Sequence, residues 1–154
     1  MKLSTICYLN CDDKTLLLQR NKKENDMHEG KWVGIGGKFE ENETPEECIN
    51  REFFEETGLR LKAPKMRGII FFPAFFKNEE WIMFLFTCDD YEGTLIESKE
   101  GTLKWIENNE VNELNMWDGD RLFLEWMKED SFFSAQIVYE NQILKSHTVN
   151  KYKF

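Results

Sequence analysis

Histidine and proline are both scarce in this sequence, with two and three residues respectively among 154. The longest apolar run, Gly68 to Phe76 (GIIFFPAFF), falls far short of the roughly 18 residues a membrane span needs. The N-terminal MKLSTICYLN has no basic segment followed by a long apolar one, so no signal peptide is expected. These absences leave a soluble cytoplasmic protein as the expectation. The four cysteines, Cys7, Cys11, Cys48 and Cys88, match no zinc spacing, and only His28 and His147 are there to complete one. Reduced, partly buried thiols are the simpler reading. Basic residues are outnumbered 20 to 29, for a net charge of −9. A nucleic acid polymer is therefore not an expected partner, because phosphate backbones need basic patches. The same charge repels a small polyphosphate unless something cationic intervenes.

What is present is a globular composition, 41% hydrophobic and 32% charged. The length suits a single domain spanning residues 1–154, with no repeat, low-complexity tract or linker. Residues 3–10 and 15–20 read as strands joined at Cys11–Lys14, and residues 21–31 as a polar loop. Trp32 to Lys38 (WVGIGGK) reads as a glycine-rich turn region. Segments 66–76 and 81–88, separated by Lys77-Asn78-Glu79-Glu80, suit an antiparallel pair, and 102–106 is a further short strand. Leu122, Phe123, Trp126 and Met127 fall at helical spacing within 118–129, and 132–139 with 142–149 suit a hairpin turning near Glu140-Asn141. Strands dominate beside two helices, which points to an α/β or α+β sandwich.

Residues 37–59, GKFEENETPEECINREFFEETGL, hold the conflict that matters. Thr44 suits an N-cap, Pro45 the first helical position, and Glu47 completes a capping box. Gly58 sits where a left-handed residue would end the helix. Yet Glu52, Glu55 and Glu56 crowd the last turns, repelling one another and opposing the helix dipole. At ~100° per residue with Ile49 at zero, Phe53 falls near ~40° and the acids near ~300°, ~240° and ~340°. They border the apolar stripe instead of facing away from it. Two readings stand: a surface helix whose acids are neutralised by Arg51 and nearby lysines, or a seat for a hard divalent cation, Mg²⁺ or Mn²⁺, ligated by carboxylates.

The spacing of Gly37, Glu43, Arg51-Glu52-Phe53-Phe54-Glu55-Glu56-Thr57-Gly58-Leu59 resembles the Nudix box at every charged and glycine position. Phe53, where the family carries an aliphatic residue, is the one soft departure. The resemblance implies an α/β/α sandwich with a mixed β-sheet, a loop–helix–loop at the box, and metal-dependent hydrolysis of a nucleoside diphosphate linked to another group. It implies metals held by Glu52, Glu55, Glu56 and the carbonyl of Gly36. Gly37, Glu43, Arg51 and Gly58 would then be structural. Carboxylate-bound metals suit phosphoanhydride hydrolysis and reconcile an acidic protein with a polyanionic substrate. Glu52 is favoured as general base, with Glu56 the alternative. GIGGK is not a P-loop, since Trp32 stands where its first glycine belongs and no Ser or Thr follows Lys38.

Beyond the box, Ser4–Tyr8, His28–Trp32, Glu100–Leu103 with Trp105, and Phe132–Ala135 resemble the MutT-type branch, which removes oxidised purine nucleoside triphosphates such as 8-oxo-dGTP. That resemblance makes Glu100 a candidate extra ligand, with a solvated loop acid as the alternative. Arg20 and Lys38 are phosphate-contact candidates, or else surface charges. Trp117 with Asp118 or Asp120 is the base-reading candidate: an indole to stack, a carboxylate to accept guanine's donors. The competing reading makes one aspartate the cap of the following helix and Trp117 a packing residue. Val33 departs from the branch, where a member reads the base with asparagine at that position. Other Nudix substrates (ADP-ribose, dinucleotide polyphosphates, unmodified nucleoside triphosphates) and a non-catalytic nucleotide sensor remain alternatives. The sequence does not fix the oligomeric state, with a monomer favoured.

Overall fold

Alternation along the central strands produces three layers. The computed structural model describes every residue except Lys77, so this part of the expected connection Lys77-Asn78-Glu79-Glu80 lies outside the described residues, while Glu79 and Glu80 already belong to a strand. Strands β1 (Lys2–Cys11) and β2 (Lys14–Arg20) form a hairpin whose turn residues Asp12 and Asp13 both take positive φ. Strands β3 (Trp32–Val33) and β4 (Ile35–Lys38) precede helix α1 (Pro45–Thr57). Then come β5 (Leu59–Leu61), β6 (Lys65–Phe76), β7 (Glu79–Cys88), β8 (Tyr91–Gly93) and β9 (Gly101–Glu107). A 3₁₀ turn (Asn108–Glu113) leads to α2 (Asp118–Trp126) and the hairpin β10 (Phe132–Glu140) and β11 (Ile143–Tyr152).

Nine strands make one mixed sheet, ordered β11-β10-β6-β7-β1-β2-β3, with β4 also pairing β1 and β9 pairing β2. The β1–β7 and β6–β10 pairs are parallel, and the remaining ladders are antiparallel. One face sends Cys7, Leu9, Leu16, Leu18 and Phe86 into a core with Ile49 and Phe53 of α1. The intervening residues Tyr8, Leu17 and Leu85 meet Phe123 and Trp126 of α2 on the other face. This is the α/β/α sandwich. Phe53 is fully buried in the first core, where its ring stabilises the helix docking by roughly 1.5–3 kcal/mol.

Three local expectations need correction. The glycine-rich stretch is not a turn: β4 pairs with β1 from Ser4↔Lys38 to Cys7↔Ile35. Glycine there serves close approach, because a Cβ on Gly36 would run into the Thr5 carbonyl, and one on Gly37 into the Glu52 carboxylate. Helix α2 ends at Trp126, three residues early, and Arg67 donates to the carbonyls of Met127 and Glu129 at 2.9 and 2.7 Å as the chain turns into β10. The final hairpin turns at Asn141 and Gln142, both at positive φ, one residue beyond the expected position.

Candidate functional site

Helix α1 carries the caps its sequence implies, and those caps set the direction of its acids. Thr44 Oγ1 accepts from Glu47 N at 3.1 Å, and Glu47 accepts from Thr44 N at 3.0 Å. Gly58 takes the left-handed conformation at φ 78°, its N–H donating to Phe54 O. The last turn contains no basic residue. Relief of the acidic crowding comes from Arg51, inside the helix.

Arg51 pairs with Glu43 through two hydrogen bonds, Nε–Oε2 at 2.6 Å and Nη2–Oε1 at 2.9 Å. It also reaches Glu52 at 2.8 Å, Glu55 at 3.2 Å and the Lys38 carbonyl at 3.1 Å, so one guanidinium joins the box loop to the helix. Its hydrogen bonds hold Glu43 well below the usual carboxylate range, at about 2, and raise Arg51 itself. Glu55 is more than half exposed and leans on Arg51. Glu52 is shifted upward, mainly by burial, against the opposing pull of Arg51 and with added repulsion from Glu55 and Glu100.

Of the three crowded acids, Glu56 is the one with no ion pair among the described residues. Burial, then repulsion from Glu100, raises it to about 7 despite the opposing Arg20, and Glu52 adds to the rise. Its carboxylate accepts from the Ser98 hydroxyl, which in turn accepts from Glu100 N at 3.0 Å. Ser98, a buried residue joining the second loop acid to the helix, carried no signal in the sequence.

Glu52 and Glu100 line a cleft of about 640 Å³ that also contains Arg20, Lys38 and Gly36. Arg20 Nε approaches Asp26 Oδ2 at 2.9 Å, out of line for a hydrogen bond, and its Nη1 lies 3.9 Å from Glu100. Lys38 is exposed, its Nζ 5.4 Å from the Trp81 ring centre. Val33, Trp117 and Asp120 line the same cleft. A smaller groove of about 290 Å³ crosses β6, β7, β10 and β11 but is lined by no titratable side chain.

The Trp-Asp segment divides its two aspartates. Asp118 is 72% exposed, 3.8 Å from Arg121, and is not a cleft residue. Asp120 is half-buried in the cleft wall, and burial raises it to about 7 against the pull of Lys31 and Arg121. Neither aspartate caps α2. Trp117 is the N-cap, its carbonyl accepting from Asp120 N at 3.0 Å. The indole is only 5% exposed and meets Phe75, Tyr139 and His28 edge-on at 5.5, 5.4 and 5.7 Å. It is a packing residue and a cleft residue at once.

His28 is the other residue whose side chain no motif in the sequence singles out. Trp117 Nε1 donates to His28 Nδ1 at 2.8 Å, and burial, aided by Arg20, lowers His28 to about 4.

A NUDIX domain model matches residues 2–127. The chain belongs to the Nudix family. It is 38% identical over 129 residues to the uncharacterized Nudix hydrolase YvcI of Bacillus subtilis, covering 80% of this chain and 77% of that one. It is 28% identical over 130 residues to the oxidized purine nucleoside triphosphate hydrolase of Danio rerio, covering 84% and 83%. The crystal structure of a MutT protein from Bacillus halodurans superposes with a TM-score of 0.86 at 31% identity, covering 97% of this chain and 98% of that one. The protein is thus a Nudix hydrolase acting on phosphoanhydrides of nucleotide derivatives, in a family that uses divalent cations.

The donor chemistry fits such a cation. The candidates Glu52, Glu55, Glu56, Glu100 and the Gly36 carbonyl offer oxygen alone, which suits a hard ion. Burial first and repulsion from neighbouring acids second raise Glu52 and Glu56, and a bound cation would oppose both. Among the described residues no three acids converge on a common point, because Arg51 holds Glu52 and Glu55 while Ser98 holds Glu56. Adding Mg²⁺ is expected to raise the melting temperature by linkage, and Glu52→Gln with Glu55→Gln to abolish that rise. Thermal denaturation with and without the metal checks it; an undiminished rise in the double variant would place the cation elsewhere.

No helix among the described residues is long and apolar enough to cross a membrane.

Proposed function

We propose that this Nudix hydrolase converts an oxidised purine nucleoside triphosphate, 8-oxo-dGTP foremost, into its monophosphate and pyrophosphate, cleansing the nucleotide pool. The observation that carries this reading is a single cleft lined both by phosphate-side groups, Glu52, Glu100, Arg20 and Lys38, and by base-side groups, Trp117 and Asp120. The similarity to an oxidized purine nucleoside triphosphate hydrolase supports it. Residues 1–154 would act as one unit, as a monomer in the cytoplasm.

In the reaction, water adds at the α or the β phosphorus, the P–O bond bridging the two breaks, and the departing oxygen takes the bond's electron pair, so monophosphate and pyrophosphate form from either attack. The water proton passes to a glutamate, Glu52 or else Glu56, before reaching solvent. Lys38 and Arg20 neutralise phosphate oxygens and orient the chain in line. A bound Mg²⁺, with Mn²⁺ as substitute, would be held by Glu52, Glu55, Glu56, Glu100 and the Gly36 carbonyl, and it supplies charge neutralisation and water activation. Hydrolysis in ¹⁸O-water tests the step: the label should appear in one product with pyrophosphate released intact, and orthophosphate release would overturn the assignment.

Asp120 gives a pH prediction. A carboxyl raised from 3.8 to about 7 binds more protons folded than unfolded, so its contribution favours folding most at low pH and is lost as pH rises towards 7. Glu56 contributes in the same direction between 4.5 and about 7. Asp120→Asn should shrink the loss of melting temperature between pH 5 and pH 8 without removing it. An unchanged pH profile would mean that the Asp120 carboxyl is fully solvated.

A further inference from the structure

Val33 lines the cleft with a side chain that cannot hydrogen-bond, so base recognition has to come from other groups. His28 lines the same cleft and has a fixed tautomer. The indole N–H of Trp117 is a donor with no acceptor capacity, so His28 Nδ1, 2.8 Å away, must accept and carry no proton. The ring proton therefore sits on Nε2. That nitrogen has no hydrogen-bond partner among the described residues and is not a sealed, unpartnered atom. His28 also stacks on Phe75 at 6.2 Å, which fixes the plane of the ring.

We propose that His28 is a specificity-determining residue whose Nε2–H donates to a carbonyl oxygen on the purine base, the O6 of guanine or of its oxidised form. The assignment rests on the substrate reading above and adds to it the group that takes over acceptor recognition where Val33 cannot. Asp120 supplies the opposite polarity: a carboxylate accepts from guanine's ring N–H and amino group. Both residues are tied to Trp117, His28 through the indole N–H and Asp120 through its backbone N–H to the Trp117 carbonyl. Donor and acceptor thus flank one residue of the cleft wall, in the polarity of guanine's edge. The lowering of His28 to about 4 keeps the ring neutral, and the donor in place, throughout the physiological range.

The test pairs two substrates that share guanine's ring N–H and amino group and differ at the acceptor atom, dGTP and 6-thio-dGTP, whose sulfur in place of O6 is a weak acceptor. Wild type should favour dGTP by about tenfold in kcat/KM, the worth of one hydrogen bond to an uncharged partner. His28→Phe, which keeps a flat ring, should erase that ratio, and His28→Gln, whose amide can both accept and donate, should retain part of it. ¹⁵N NMR of histidine-labelled wild type should show the neutral Nε2–H form at pH 7. Its Nε2 signal should move further on adding dGMP than on adding 6-thio-dGMP. Equal losses on both bases in His28→Phe, an Nδ1–H tautomer, or an imidazolium at pH 7 would overturn the proposal. A poor rate on 8-oxo-dGTP would sink the substrate reading alone, since the tautomer and the O6 ratio are measured without it.

Discussion

Glu56→Gln is expected to lower hydrolysis by about 10²–10⁴-fold, the range for a group that handles charge and protons at the reacting centre, while leaving the fold intact. Folding survives because the amide keeps the shape of the carboxyl and can still accept from Ser98. The metal-free variant should even gain stability above pH 7. Wild-type Glu56, raised to about 7 by burial and Glu100, carries there a charge with no ion pair among the described residues and only the pull of Arg20 against it. Glu52 and Glu55 differ, because Arg51 already pairs with both, so neutralising them removes ion pairs along with repulsion. Steady-state rates in Mg²⁺ and melting curves in chelator measure the two effects. Unimpaired turnover would remove Glu56 from the mechanism.

Trp117→Ala should have the second largest effect, on two observables at once. Loss of a base-stacking surface is worth about 1–3 kcal/mol by analogy with nucleic acid readers, one to two orders of magnitude in catalytic efficiency on 8-oxo-dGTP. Because the indole is 5% exposed and wedged among Phe75, Tyr139 and His28, truncation also removes core packing, at a cost of about 3–5 kcal/mol of folding stability. Trp117→Phe separates these, keeping an aromatic face while deleting the N–H that fixes His28. It should melt closer to wild type yet discriminate less between 8-oxo-dGTP and dGTP. If both variants keep wild-type efficiency and preference, the segment serves packing alone.

Legibility in the sequence followed the range of the interactions. Helix α1 could be read to its ends because its caps are local: Thr44, Pro45, Glu47 and Gly58 act within a few residues. The position of the acids beside the apolar stripe followed from helical geometry alone, and Glu52 is half-buried. Strand β4 was hidden because Gly36 and Gly37 suggest a turn, whereas what makes them a strand is β1, about 30 residues away, as in Thr5↔Gly37. The three-residue pair of β5 and β8 was too short for any periodicity to register. Asp118 and Asp120 looked alike on paper. Only the packing of α2 on the sheet exposes one and half-buries the other. Ser98 and His28 were invisible for the same reason, since each acts on a residue 42 and 89 positions away.

Catalytic efficiency across a substrate panel in Mg²⁺ tests the central claim most directly: 8-oxo-dGTP, dGTP, dATP, ADP-ribose and a dinucleoside polyphosphate, with release of monophosphate and pyrophosphate followed for each triphosphate. The account predicts 8-oxo-dGTP first, ahead of dGTP by at least about tenfold, the discrimination one well-placed hydrogen bond can supply. ADP-ribose or the dinucleoside polyphosphate ranking above it, or no preference between oxidised and unmodified purines, would contradict it.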